Sequence, residues 1–209
     1  MTAVSWVVGC GCGTFLVVLT REYSTNVPKV PAAGFVVLDT ETNGGTKSSR
    51  VIELGLAYVS RAGTIQKTFA TVLRGDGTAG PWPVRRIHGI KDSYLAEAPE
   101  FREISKAFVS SLRGRVLVAH NSSFDLRFLN RELSLVRMRK VSSMACTLEL
   151  GILLGHGRLS LESAVDKFEL YRQFEHHAFD DAIATAQLLE IYMKQDRSKF
   201  NKYIDNFRN

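Results

Sequence analysis

Gly34-Phe35-Val36-Val37-Leu38 is a short, unbroken apolar run that stops at a carboxylate, Asp39. Turn residues follow at Asn43-Gly44-Gly45, and a run this short predicts a strand buried on both faces. Val51 to Ser60 and Gln66 to Leu73 are rich in β-branched and aromatic residues. The gap between them, Arg61-Ala62-Gly63-Thr64, is a hairpin signal, so these three strands predict an antiparallel meander. Pro81-Trp82-Pro83 predicts a break into loop. Phe101 to Leu112, behind Pro99, predicts a helix, and Val116 to Ala119 a second buried strand. Asn121-Ser122-Ser123 reads as the cap of a helix reaching about Leu135. A further strand is expected within Val141 to Thr147, and a short helix from Leu159 to Phe168 with Ser160 as its cap. The longest helix is expected from about Phe179 to Lys194, because Ala182, Ala186, Leu189 and Met193 share one face.

Three strands followed by alternating helix and strand predict a mixed α/β sandwich. A helix is expected to cross over between the first strand and Val116–Ala119, which leaves those two strands parallel. On this reading residues 1–33 are an apolar appendage and linker, 34–194 the main domain and 195–209 a basic tail without apolar period. Ala3 to Leu19 is apolar but interrupted by Gly9, Gly11 and Gly13, and no Lys or Arg precedes it as in a secretory signal. A peripheral strand or hairpin is the favoured reading. A short membrane anchor and upstream sequence from a misplaced start are the other two.

The 209 residues suffice for one domain with a sizeable core. A net charge of +6 suits a polyanionic partner without demanding one. The three cysteines, Cys10, Cys12 and Cys146, are an odd count with no zinc-knuckle spacing, which points to reduced thiols and a cytoplasmic protein.

The chemistry-bearing residues are acidic. Asp39 and Glu41 lie two apart as the first strand ends, hence on one side of it, where open α/β sheets place their ligands. Two crowded carboxylates repel unless a proton or cation lies between them, and hard oxygen ligands suit Mg²⁺ or Mn²⁺. Asp125 follows the second buried strand in the first turn of a helix, where the helix dipole alone would favour it. Parallel pairing would bring it beside Asp39. In His176-His177-Ala178-Phe179-Asp180-Asp181, the imidazole and the last carboxylate are five apart, about 140° of helical rotation. His176 is therefore expected in the loop before the helix and Asp181 inside it. His177 and Asp180 compete for the same parts, and Asp181 is favoured because Ala182 begins the buried stripe.

Taken in order, Phe35-Val-Val-Leu-Asp39-Thr-Glu41-Thr-Asn-Gly44, His120-Asn-Ser-Ser-Phe-Asp125 and His176-His-Ala-Phe-Asp-Asp181-Ala resemble the DEDDh exonuclease superfamily. The resemblance covers about residues 34–193. It is strongest to the group holding the proofreading epsilon subunit of bacterial DNA polymerase III and its stand-alone relatives. It implies a ribonuclease-H-like sheet with helices on both faces and a 3′→5′ exonuclease using two divalent ions, Mg²⁺ or Mn²⁺. Asp39 would bridge the two ions, Glu41 and Asp181 would hold the first, Asp125 would serve the second and His176 would be the general base. Thr42, Asn43, His88, Asn121 and Phe124 match positions that contact the terminal nucleotide in that group. The implied partner is a single-stranded or frayed DNA 3′ end, with a polymerase complex as a further partner and no organic cofactor. An exoribonuclease trimming RNA 3′ ends is the nearest rival, and an inactive nucleic-acid-binding scaffold the next. The basic run from Arg131 to Lys140 is a candidate for phosphate contact.

Overall fold

The computed structural model describes residues 5–10, 13–18, 23–29 and 33–207. β1 (Ser5–Cys10) and β2 (Gly13–Val18) pair antiparallel in a two-stranded sheet of their own. Cys12 and the end of the linker, 30–32, lie outside the described residues. The main sheet contains β3 (Gly34–Thr42), β4 (Val51–Val59), β5 (Ile65–Val72), β6 (Arg115–Ala119) and β7 (Ala145–Cys146), in the order β5-β4-β3-β6-β7. β3, β4 and β5 are antiparallel neighbours joined by short turns. β6 lies parallel to β3, and β7 parallel to β6. This is the mixed, ribonuclease-H-like α/β sheet that the sequence motifs imply.

Strand alternation sorts the core into two layers. Phe35 and Val37 of β3 face α7 (Ala178–Gln195) together with residues of α5 (Thr147–Leu153), α6 (Leu161–Phe168) and α8 (Arg197–Ile204). Val36 and Leu38 face α3 (Phe101–Ser111) and α4 (Ser123–Leu135). A third, smaller cluster built on Ile52, Val72, Ile90 and Leu95 seats α2 (Asp92–Glu97). Among the described residues no helix is long and apolar enough to cross a membrane.

Four local expectations change. Pro81-Trp82-Pro83 does not break the chain but starts α1 (Trp82–His88): Pro81 is its cap and Pro83 lies in the first turn. Proline is tolerated there because the N–H it lacks has no partner within a helix. Ser122 does not cap α4 with its side chain; its hydroxyl donates instead to the Met144 carbonyl at 3.3 Å. Thr147–Leu153 is helical, although no helix was expected there. The stretch read as a basic tail forms α8 and buries Phe200, whose ring meets Phe35 edge-on at 5.8 Å, and Ile204.

Candidate active site

Three elements converge at the C-terminal end of β3. The first is β3 itself, on which Asp39 and Glu41 fall on one face by alternation, with Thr40 between them turned to the other. Next comes β6. Its parallel register pairs Val37 with Val118, so the turn at His120-Asn121 emerges beside Asp39 and delivers α4. Asp125, in the first turn of α4, is 3% exposed and accepts a hydrogen bond from the Thr40 hydroxyl at 2.8 Å.

The third element is α7, and a glycine admits it. Gly55 pairs with Asp39 across the sheet, and a Cβ there would stand 1.9 Å from the Ala178 carbonyl oxygen. The first turn of α7 thus lies directly on the β4 backbone, where the buried Glu53 carboxylate accepts from the Ala178 N–H at 3.3 Å. That contact sets Asp181 and His176 over β3. Gly55→Ala is expected to destabilise the fold by about 1–3 kcal/mol, the usual range for overpacking, because backbone must move. Chemical denaturation checks this; an unchanged midpoint would mean that α7 does not need the close approach.

Asp39, Glu41, Asp125, Asp181 and His176 all line one cleft of about 490 Å³, within the range of small-ligand sites. Ligand atoms of Glu41, His176 and Asp181 lie within 4.8 Å of one another. The two rival residues point elsewhere. Asp180 is buried outside the cleft lining, 4.0 Å from His177 Nδ1, and the His177 ring packs on Phe174 with centroids 5.1 Å apart. His176 (φ 54°) and Asn121 (φ 60°) both hold the left-handed conformation, and both line the cleft. Non-glycine residues adopt it rarely, and such residues concentrate at functional sites.

The cleft is strongly acidic. Its described lining has six carboxylates (Asp39, Glu41, Asp125, Glu162, Glu175 and Asp181) against a single guanidinium, Arg172. Burial raises Asp39 well above the usual carboxylate range, and Asp125, Asp181, Glu41 and Glu53 add repulsion. Burial also lifts Asp125 to about 7, against the opposing hydrogen bond from Thr40. Asp181 is raised by burial too, with Arg172 pulling the other way. Without a cation, carboxyl groups here retain protons near neutral pH that a cation would displace. An excess of hard oxygen donors at one point fits a divalent cation.

The residues expected to meet a nucleotide divide. Thr42, His88, Asn121 and Phe124 line the cleft. His88 offers its ring and not its nitrogens: Nδ1 accepts from the Ile90 N–H at 3.0 Å, which leaves Nε2 to donate to the Ala79 carbonyl at 3.2 Å. Asn43 stands apart. Its side chain does not line the cleft; the amide donates to Asp76 at 2.7 Å and to the Thr78 carbonyl at 3.1 Å, and its oxygen accepts from the Arg50 N–H at 2.7 Å. An amide with two donors and an acceptor serves the loop better than a hydroxyl would, so Asn43 shapes the wall from behind.

Arg172 and His120 are among the lining residues that went unread in the sequence, as are Glu162 and Glu175. Arg172, in the segment between α6 and α7, donates from Nε to Asp181 at 2.5 Å and lies 3.6 Å from Glu175. Nothing in its neighbourhood marks it, since its partner is nine residues away. His120 links three segments: Nδ1 meets the Thr147 hydroxyl at 2.9 Å, and Nε2 meets the Leu159 carbonyl at 3.1 Å beside the lining residues Ser160 to Glu162. Burial lowers its pKa, consistent with a neutral ring that acts as a brace.

A family model described as exonuclease, RNase_T, matches residues 36–189. The DNA polymerase III subunit epsilon of Treponema pallidum (strain Nichols) is 36% identical over 162 residues, covering 74% of this chain and 74% of that protein. Exonuclease X, solved in complex with 5′ overhanging duplex DNA, superposes with a TM-score of 0.67 at 24% identity, over 82% of this chain and 98% of that one. The nuclease domain of 3′hExo, a DEDDh family member bound to rAMP, gives 0.66 at 18% identity over 78% and 92%.

Proposed function

The chain belongs to the RNase_T exonuclease family and is a 3′→5′ exonuclease, and from that premise we propose that it releases nucleoside monophosphates one at a time from DNA 3′ ends. The observation that carries this reading is the gathering of Asp39, Glu41, Asp125, Asp181 and His176 in one nucleotide-sized cleft at the end of β3. Enzymes of this family use divalent metals, and the acidic cluster suits them. Glu41 and Asp181 with Asp39 would hold one ion, and Asp39 with Asp125 a second, Mg²⁺ or Mn²⁺ in each case. Four carboxylates balance the charge of two such ions. When bound, the ions supply positive charge to the phosphate and to the departing 3′ oxygen, and lower the pKa of water.

The side chains do the rest. His176, exposed at the cleft on its left-handed turn, takes a proton from the water that attacks phosphorus. The bond to the 3′ oxygen breaks, leaving a 5′-monophosphate and a strand one nucleotide shorter. The Phe124 ring, braced edge-on by Phe128 at 4.8 Å, offers a face for the terminal base. Thr42 and Asn121 offer polar contacts, and His88 closes the wall. A cleft of this size takes one nucleotide, so a duplex end must fray before it enters. DNA is favoured over RNA by the 36% identity to a subunit named for DNA polymerase III. Membership of a polymerase complex is an extension of the same likeness.

A time course on end-labelled single strands of one sequence, DNA and RNA, with Mg²⁺, Mn²⁺ or EDTA, tests this reading. The expected result is a ladder shrinking from the 3′ end, faster on DNA and absent in EDTA. A faster RNA ladder would reassign the substrate. Folded protein that cuts neither strand with metal present would overturn the proposal.

A further inference from the structure

A second groove, about 300 Å³, lies against α4 on the segments that adjoin the cleft's walls. The two share their walls in sequence. Gly44 and Gly45 line the cleft while Thr46 and Lys47 line the groove, and on α4 Phe124 lines the cleft while Arg127 and Arg131 line the groove. The helix residues 124, 127, 131 and 134 recur at spacings of three and four, a stripe along one side of α4. Four cations, Lys47, Arg127, Arg131 and Lys140, face the groove, and its described lining contains no carboxylate. No ion pair among the described residues neutralises these four.

Both arginines are held in place. Arg127 donates to the Gly45 carbonyl at 3.3 Å with its guanidinium 4.5 Å over the Phe128 ring, and Arg131 donates to the Lys47 carbonyl at 2.7 Å. The loop they hold is fixed from below by Arg50, paired with the buried Glu132 of α4 at 2.7 Å. The other opening beside the cleft, past Trp82 and Arg86, carries the Glu175 carboxylate against one cation. Charge therefore distinguishes the two exits.

We infer that the Lys47–Arg127–Arg131–Lys140 groove holds the phosphate backbone of the substrate strand just 5′ of the terminal nucleotide. The inference rests on the exonuclease reading of the cleft. Seven residues of helix separate Phe124 from Arg131, about 10 Å, which spans roughly two nucleotides of extended strand. The contacts are to phosphates, so the groove takes any base sequence. It also keeps the strand engaged while its end is shortened.

The test compares wild type with Lys47→Gln/Lys140→Gln, two exposed positions, and with Arg131→Gln as a second variant. The substrates are a ten-nucleotide single strand and the p-nitrophenyl ester of thymidine 5′-monophosphate, which fills the cleft alone. The expected result is unchanged ester hydrolysis, with the KM for the strand raised about tenfold in the double variant. Its log–log salt dependence should be shallower by about 1.4, at roughly 0.7 for each phosphate left without its cation. An unchanged strand KM and salt slope would overturn the inference, as would an equal loss on both substrates. If the wild type cuts neither substrate, the exonuclease reading fails separately. Anisotropy of a fluorescent single strand on metal-free protein then decides the groove: weaker binding by the double variant supports it, and equal binding overturns it.

Discussion

Asp39→Asn should abolish strand shortening while making the metal-free protein harder to unfold. Asp39 is the carboxylate most penalised in the cleft: burial disfavours its charge, and Asp125, Asp181, Glu41 and Glu53 add repulsion. Removing a group that orients charge at a reacting phosphate is expected to reduce kcat on the order of 10³-fold or more. Without a cation, however, the same group must either stay charged among its neighbours or take up a proton that the unfolded chain does not hold at neutral pH, and an isosteric neutral amide removes that cost. The thermal midpoint in EDTA should therefore rise by about 2–4 °C, equivalent to roughly 1 kcal/mol in a chain of this size. Divalent metal should stabilise the wild type, since an ion binds only the folded site, and should stabilise the variant much less. Thermal melts with and without Mn²⁺, run beside single-turnover hydrolysis, check both halves. A variant that keeps its activity would remove Asp39 from the site. One that loses activity and also melts earlier in EDTA would make Asp39 a structural residue.

This opposition between stability and function also explains what the sequence could reveal. A carboxylate at the end of an unbroken apolar strand has no place in a core, so Asp39 and Glu41 stood out, as did the strand before them. Asp125 gained meaning only through the parallel pairing of β3 with β6, which the alternation of elements already implied. Asp181 was separable from Asp180 because the buried stripe of α7 begins beside it. Signals that depend on a distant partner were invisible. Gly55 reads as a weak point in a strand until α7 is seen lying on it. Arg172 reads as one more surface cation until it is found against Asp181. Asn43 fits a substrate contact by position, but its amide is consumed by Asp76, Thr78 and Arg50 in a loop whose closure no local pattern announces. Helix α8 was missed because two apolar residues, Phe200 and Ile204, are its whole buried face within a charged segment. Helix α5 was missed for the opposite reason, since its residues are apolar nearly all round and show no period.

His176→Asn is the prediction that separates a base from a ligand. The imidazole lies with Glu41 and Asp181 close enough to share one ion, so geometry alone permits either part. Asparagine is the informative replacement because it accepts the left-handed backbone that His176 adopts (φ 54°), whereas a β-branched residue would distort the turn into α7. If His176 serves as the base, kcat should fall by about 10²- to 10⁴-fold, while the Mn²⁺ concentration needed to stabilise the fold stays within about twofold. His177→Asn is the internal control. That ring packs on Phe174 and faces Asp180 outside the cleft, so its loss should change the rate by less than about threefold, as expected of a substitution away from the reacting groups. A fall in metal affinity that matches the fall in rate would instead make His176 a ligand and leave the proton to water. Equal losses from both histidines would point to damage at the start of α7, where His177 is the cap and Asp181 accompanies it.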